Sequence, residues 1–242
     1  MGRSIPQHKR RLCLDEISVG TLELSEEEAH YLKKVLRLKI GDQLEVFDGQ
    51  GQYASATLSS NDKRKACLQI EAINTQATNS RALTVAMATP KSDRADWAVE
   101  KLSELGVDHI VWLQCERSVT LPKKEGQRLS RWSRIAKSAA GQSGRYFLPT
   151  LKGPVSLGKF LESRFDHQFI GAFSEHFLVK DLIDLPRNGN FALLIGPEGG
   201  FTDDELEDAV SAGYLKRRLG HHILRTETAA IAGASILGGA MA

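Results

Sequence analysis

Cysteine is scarce: Cys13, Cys67 and Cys115 are the only three in 242 residues. They are far apart, odd in number and form no CxxC pair, which excludes a disulfide framework and a zinc ribbon and favours a reducing, cytoplasmic compartment. Long apolar runs are lacking too. The start, MGRSIPQHKRR, carries charge with no apolar run behind it, so no secretory leader is expected. The most apolar stretch, TAAIAGASILGGAMA, is too short and glycine-rich beside the ~20 residues that span a bilayer. The sequence contains no GxGxxG, no GxxxxGK[ST] and no HExxH, so the dinucleotide fingerprint, the P-loop and the zincin motif are excluded and no metal site is expected. Net charge is small as well: 32 Lys and Arg against 30 Asp and Glu leave +2. What remains is 41% apolar and 26% charged, the composition of a globular chain with one large or two unequal domains.

A near-neutral total conceals an uneven distribution. Residues 1–80 balance at 11 basic and 11 acidic, residues 81–150 hold 12 against 7, and residues 151–242 hold 9 against 12. Between Arg117 and Arg145, the side chains of Arg117, Lys123, Lys124, Arg128, Arg131, Arg134, Lys137 and Arg145 face a single acid, Glu125. A solvated helix face usually interleaves both signs at i±4. A local excess of this kind suits a phosphate backbone.

Periodicity divides the chain in two. SEEEAHYLKKVLRL opens with a capping box, Ser25 and Glu28, and continues with Ala29, Leu32 and Leu36 at helical spacing. Short strand-like runs follow, QLEVF, QYASATL and KACLQIEAI, separated by the turns DGQG and SSNDKRK, which suggests a small barrel. After the polar stretch INTQATNSRA the pattern alternates. LTVAMAT, VDHIVWLQC, FIGAFS and FALLIG read as strands, and DRADWAVEKLSELG, QRLSRWSRIAKSAAGQ, FTDDELEDAVSAG and TETAAIAGASIL as helices. Alternation of this kind predicts an α/β domain with a mostly parallel sheet, and the boundary falls near residue 78.

Two segments stand out chemically. FALLIGPEGGF is a strand, a glycine-rich turn and a helix start, but Thr202 and Glu205 form a capping box and Asp203, Asp204 and Glu205 occupy the positive end of the helix dipole. A pyrophosphate there would meet three carboxylates, so the turn suits a neutral or cationic ligand. Its place at the carboxyl end of a parallel strand is where α/β sheets hold ligands. The other segment is LGHHILRTETAA, in which Arg225 precedes a Thr226-capped helix of small residues; His221 and His222 read as loop histidines.

Five motifs occur in order: KSDRADWAVEKLSELGV, ERSV, RWSRIAKSAAGQSGR, LLIGPEGGF and LGHHILRTETA. Together with HYLKKVLRLKIGDQLEVFDGQG they resemble the 16S ribosomal RNA uracil-N3 methyltransferases of the SPOUT class. The resemblance runs from about residue 9 to residue 235. It implies a PUA-like RNA-binding β-barrel over 1–77 and, over 78–242, a SPOUT-type α/β methyltransferase domain with a C-terminal trefoil knot. It further implies a homodimer acting on 16S rRNA, within the 30S subunit. S-adenosylmethionine is the implied cofactor, held by Leu194, Ile195, Gly196, Pro197, Gly199 and Gly200 from one loop and by Leu219, Gly220, Ile223, Leu224, Arg225 and Thr226 from the other. One departure stands out: relatives usually carry an acid where this chain has Gly141, before Gln142. A non-catalytic ribosome-assembly factor on the same fold, or a SPOUT enzyme acting on another RNA, is the alternative reading.

Methylation at N3 requires loss of a weakly acidic proton. A nearby cation would stabilise the resulting anion, and Arg225 is the candidate; Glu198 and Glu227 are the candidate bases, with solvent as the alternative. RNA-contact candidates are Arg10 and Arg11, then His30, Lys33, Lys34 and Arg37 at i, i+3, i+4 and i+7 of one helix face, then Arg94, Arg117 and Arg145.

Overall fold

The computed structural model describes residues 10–61, 65–78, 80–118, 125–183, 185–186 and 188–240. They divide into two compact units. One holds the described residues up to Thr78 together with Ala140–Phe147; the other holds the remainder. The first unit is therefore discontinuous in sequence, since its last eight residues arrive from beyond the boundary expected near 78.

The first unit begins with β1 (Arg11–Cys13), β2 (Gly20–Leu24) and α1 (Glu26–Tyr31). The capping box at α1 is formed: Ser25 Oγ accepts from the Glu28 amide, and Glu28 Oε2 accepts from the Ser25 amide. The helix expected to continue to residue 38 instead widens into a π-turn over Leu32–Leu36, ending at Arg37 with φ 52°. Leu38 is buried, and its amide reaches back to the Leu32 carbonyl, so the wider turn brings Leu32 and Leu38 into one core. A π-turn takes more residues per turn than an α-helix. Arg37 therefore does not continue the expected face of His30, Lys33 and Lys34, which is a correction to the helical spacing. Strands β3 (Gln43–Phe47), β4 (Gln52–Asn61), β5 (Ala66–Ile70) and β6 (Asn74–Thr75) complete the unit. The sheet order is β1-β3-β4-β5-β2 with β6 on β4, antiparallel except for β1 on β3. Alternate residues such as Leu44 and Val46, Ala54, Ala56 and Leu58, and Ala66, Leu68 and Ile70 face one core with Leu32 and Leu38.

In the second unit, β7 (Arg81–Ala88), α2 (Ser92–Glu104), β8 (His109–Gln114), α3 (Glu125–Ser143, whose residues from Ala140 on belong to the first unit), β9 (Thr150–Ser156), α4 (Leu157–Leu161) and β10 (His167–Gly171) come first. A 3₁₀ turn over Leu178–Ile183 leads to β11 (Gly189–Ile195), α5 (Asp203–Ser211), β12 (Leu215–Arg217) and α6 (Thr226–Ala240). The expected parallel sheet is present, ordered β12-β10-β11-β7-β8-β9 with every pair parallel. Its central strands are buried on both faces and so read as continuous apolar runs. Leu83, Val85 and Met87 pack with α2, α3 and α6; Ala86 and Ala88 pack with α4 and α5. The small residues of α6 have a steric cause. A Cβ at Gly233 would lie 2.4 Å from Leu193 Cδ2, so the helix approaches β11 at glycine distance.

Candidate functional site

Strands β12, β10 and β11 are neighbours, and their carboxyl ends release three loops beside one another. Parallel sheets present backbone and loop atoms at that edge, which is why ligands collect there. The loops enclose a cavity of about 480 Å³, within the size range of small-molecule and cofactor sites.

One wall is the turn after β11. Gly196 has no room for a side chain, because a Cβ would lie 2.9 Å from the Phe201 ring. Gly200, at φ +73°, donates its amide to Pro197 O at 2.8 Å and closes the turn. At the start of α5, Thr202 Oγ1 accepts from the Glu205 amide at 3.2 Å, and Glu205 Oε2 accepts from the Thr202 amide at 2.9 Å. Glu205 Oε1 also accepts from the Glu116 amide at 2.8 Å. This helix start is therefore capped by its own side chains and lined with Asp203, Asp204 and Glu205, which makes it a poor seat for an anion.

A second wall runs from Arg218 to Thr226. Thr226 Oγ1 donates to the Gly196 carbonyl at 3.0 Å and ties the two loops together. Arg218 donates from Nε to Gly220 O at 3.0 Å and from Nη2 to His221 O at 2.6 Å. Gly171, Ala172 and Phe173 form the third wall.

Of the residues assigned to the cofactor by sequence, Ile195, Gly196, Pro197, Gly199, Gly200, Leu219, Gly220, Ile223, Leu224 and Thr226 line this cavity. Leu194 does not: its side chain faces the opposite way from Ile195 and packs with Phe160 and Tyr214 in the core. Arg225 is exposed, does not line the cavity, and has no hydrogen bond or ion pair to its guanidinium among the described residues. Its carbonyl starts α6 by accepting from the Ala229 amide. The two acids differ in environment. Glu198 is half exposed on the cavity wall and pairs with Arg94 Nη1 at 2.5 Å. Glu227 is 4% exposed, lies 3.6 Å from Arg94 Nε, and leaves Oε2 buried with no partner.

The RNA-contact candidates divide. Arg10 is exposed and pairs with Asp42 at 2.9 Å. Arg11 is a correction: its side chain is 7% exposed, paired with Glu45 at 2.7 Å and set 4.6 Å from the ring centres of both Phe47 and Tyr146. A guanidinium so enclosed does not reach a phosphate. His30, Lys34 and Arg37 are exposed, Lys33 is half-buried, and Arg145 lies half-buried in the segment that joins the first unit. In the second unit Arg94 and Arg117 turn inward to the loop after β11. Arg117 Nη1 donates to the carbonyls of Gly199 at 3.1 Å and Phe201 at 3.3 Å, so it clasps the turn. In the basic block, Arg131 pairs with Asp96, which also accepts from Trp132 Nε1 at 3.0 Å. Lys123 and Lys124 lie outside the described residues.

The wall from Gly171 to Phe173 and the anchoring by Arg218 are absent from the sequence-based assignment. FIGAFS was legible as a strand, and the preference of ligands for strand carboxyl ends could have marked its last residues. Among the described residues, no group of three or more His, Cys, Asp or Glu is placed to hold a metal ion, and no helix is long and apolar enough to cross a membrane.

Residues 77–238 match the model of the RNA methyltransferase domain family, and residues 24–71 match that of the RNA methyltransferase PUA domain. Ribosomal RNA small subunit methyltransferase E of a Synechocystis species is 33% identical over 89% of this chain and 72% of its own length. The Bacillus subtilis protein of the same name is 32% identical over 86% of each chain. The crystal structure of ribosomal RNA small subunit methyltransferase E from Neisseria gonorrhoeae, bound to S-adenosylmethionine, superposes with a TM-score of 0.84 at 30% identity. It covers 95% of this chain and 97% of that one.

Proposed function

The chain belongs to the RNA methyltransferase family that carries a PUA domain ahead of its catalytic domain, and from that premise we propose that it methylates N3 of a uridine in 16S rRNA, using S-adenosylmethionine. The observation that carries this reading is the cavity at the ends of β10, β11 and β12: glycine-lined, with Glu198 offsetting Arg218, beside a helix start sealed by its own capping box. An adenosine is neutral and a sulfonium is cationic, so both suit a site that turns a pyrophosphate away. Gly196 packs its backbone against the Phe201 ring and so puts no side chain into the turn that would hold the ligand.

In this reading Ile195, Gly196, Pro197, Gly199 and Gly200, with Leu219, Gly220, Ile223, Leu224 and Thr226, hold the cofactor. The two loops are the turns of a trefoil knot. The bound cofactor supplies a methyl group already activated by positive sulfur. The protein's own task is alignment of the uracil and management of its N3 proton. Glu198, on the cavity wall, accepts the proton; Glu227 and Glu198 together fix Arg94 beside the turn. Arg225, exposed and unengaged among the described residues, stabilises the uracil anion. Phosphates of the RNA are met by His30, Lys33, Lys34 and Arg37 in the first unit; such contacts position the strand without reading its sequence. The working protein is a cytoplasmic homodimer that acts on the 30S particle.

Transfer of labelled methyl groups to 30S particles and to free 16S rRNA, followed by nucleoside analysis, tests the proposal. The expected product is 3-methyluridine in 16S rRNA. Label in another nucleoside overturns the assigned atom, and the absence of any calorimetric signal with S-adenosylmethionine overturns the cofactor.

A further inference from the structure

Phe173, in the loop after β10, is 83% exposed. Single exposed apolar side chains are ordinary on protein surfaces. This one differs in what surrounds it. The guanidinium carbon of Arg218 sits 4.8 Å from the Phe173 ring centre and 5.3 Å from that of Phe177, and the Phe177 ring lies 5.0 Å from the His221 ring. Arg218 is itself immobilised by its donations to Gly220 O and His221 O. Its backbone is fixed as well: the amide donates to His176 O, and the carbonyl accepts from the Leu178 amide. The result is a fixed stack of aromatic rings and a planar cation, with one broad aromatic ring facing solvent.

This stack adjoins the cavity. Phe173, Arg218 and His221 line the same walls as Gly196 and Leu219. Aromatic rings and arginine planes are the surfaces on which splayed-out RNA bases stack, and an enzyme acting on a base must take that base out of its own stack. Arg218 contributes a cation under the ring, and the side chains of His221 and His222 are exposed at the rim. Glu198 is the one carboxylate among the residues lining the cavity. An unpaired RNA base would bring the second π-face that the exposed Phe173 ring lacks.

We propose that Phe173, backed by Arg218, is the stacking shelf that receives the unpaired base of the RNA substrate beside the methyl donor. The inference rests on the reading of the cavity as the cofactor's. Phe173 is then a substrate-positioning residue, pre-ordered by the cation beneath it. Arg218 contributes indirectly by holding the ring and the Gly220–His221 backbone in one arrangement.

The test uses the full chain with Phe173→Ala, Phe173→Leu and Phe173→Trp. The probes are S-adenosylmethionine for calorimetry and 16S rRNA, free and in 30S particles, for binding and methyl transfer. Base–aromatic stacking sets the expected scale: Phe173→Ala weakens RNA binding or raises the KM for RNA about 5- to 150-fold. Cofactor affinity, urea midpoint and sedimentation coefficient are expected to stay at their parent values. Phe173→Trp should retain RNA affinity, whereas Phe173→Leu, apolar but without a π-face, should resemble the alanine variant. Loss of cofactor affinity with RNA affinity intact overturns the proposal and gives the ring to the cofactor. A changed sedimentation coefficient in the alanine variant gives the surface to a second copy of the chain, and a leucine variant equal to the parent reduces the ring to bulk. Failure of the functional reading is distinguishable, because the unmutated chain would then bind no S-adenosylmethionine and methylate no RNA.

Discussion

Replacing Arg11 separates a structural cation from an RNA-contacting one. Its Nε lies 2.7 Å from Glu45 Oε1, Nη1 donates to Ala140 O at 3.0 Å, and the guanidinium lies against the Phe47 and Tyr146 rings. Both partners are largely withdrawn from water, at 7% and 13% side-chain exposure. Removing one member of a buried pair strands the other, at a cost of about 3–5 kcal/mol. Loss of a desolvated cation–π contact adds up to about 2 kcal/mol, though it overlaps the same truncation. Tyr146 Oη keeps its donation to Glu45 Oε1 at 3.1 Å, which offsets part of the loss. For Arg11→Ala we therefore expect a destabilisation of about 4 kcal/mol in the first unit, read as a lower urea midpoint for that unit's transition. Arg11→Met paired with Glu45→Gln should recover much of it, since no charge is left stranded and the amide oxygen still accepts from Tyr146. RNA binding is the counter-assay. A phosphate-contacting arginine lowers the salt slope by about one unit when removed, at constant stability. Arg11→Ala that retains the parent's urea midpoint while flattening the salt slope would refute the reasoning and return Arg11 to the RNA-facing set.

Three further outcomes are expected. Gly196→Ala places a methyl group 2.9–3.3 Å from three atoms of the buried Phe201 ring. It should cost about 1–3 kcal/mol by overpacking and weaken S-adenosylmethionine binding, checked by urea titration and calorimetry. Two glycines of α6 should respond with opposite signs. Gly233→Ala meets Leu193 Cδ2 at 2.4 Å and should destabilise, whereas Gly239→Ala meets nothing within 4 Å and should stabilise by about 0.5–1 kcal/mol, as helix propensity dictates. In the alkaline range, burial pushes the Cys115 thiol from 9.0 up to about 12, and burial, then the Glu45 carboxylate, pushes the Tyr146 hydroxyl from 10.0 up to about 12. Well below pH 9 both groups are protonated, folded or unfolded, and contribute no pH dependence. Above it the unfolded chain ionises first, so the urea midpoint should fall between about pH 9 and 12, and Cys115→Ala should lessen the fall.

Local chemistry was legible in the sequence; long-range partnership was not. The capping boxes at Ser25 and Thr202 follow from residues three positions apart, and both form with the partners expected. The alternation that predicted a parallel sheet also depends on short windows, because a strand buried on both faces is apolar throughout. The π-turn at Leu32–Leu36 escaped for the opposite reason. Only burial of Leu38 against strands far along the chain favours a wider turn over continued α-helix. Arg11 shows the limit most clearly. Next to Arg10, in a basic stretch, it reads as one more phosphate ligand, yet its partners lie 34 and 129 residues away.

The same distinction explains which cations surround the candidate site. Arg117 is an RNA candidate because it opens the basic block that ends at Arg145, and Arg94 is a further candidate; nothing local shows where a guanidinium will point. In the fold both turn onto the loop after β11: Arg94 onto Glu198 and Glu227, Arg117 onto the carbonyls of Gly199 and Phe201. A glycine-rich turn has little side-chain packing of its own to hold one conformation, and its backbone freedom is costly to restrict. Two arginines from β7–α2 and the end of β8, reaching across to its carbonyls and its one acid, supply that restriction from outside. The positive charge of residues 81–150 thus serves in part to order the turn, and charge counted along the chain overstates what remains for phosphate. Arg225 is the contrasting case. It is exposed, without a partner among the described residues, and fixed only through its backbone at the start of α6. Among the described arginines near this turn, it is the one whose guanidinium has no partner among the fold's own carbonyls and carboxylates, and that availability, which no sequence pattern displays, is the ground on which we propose it as the cation at the reacting base.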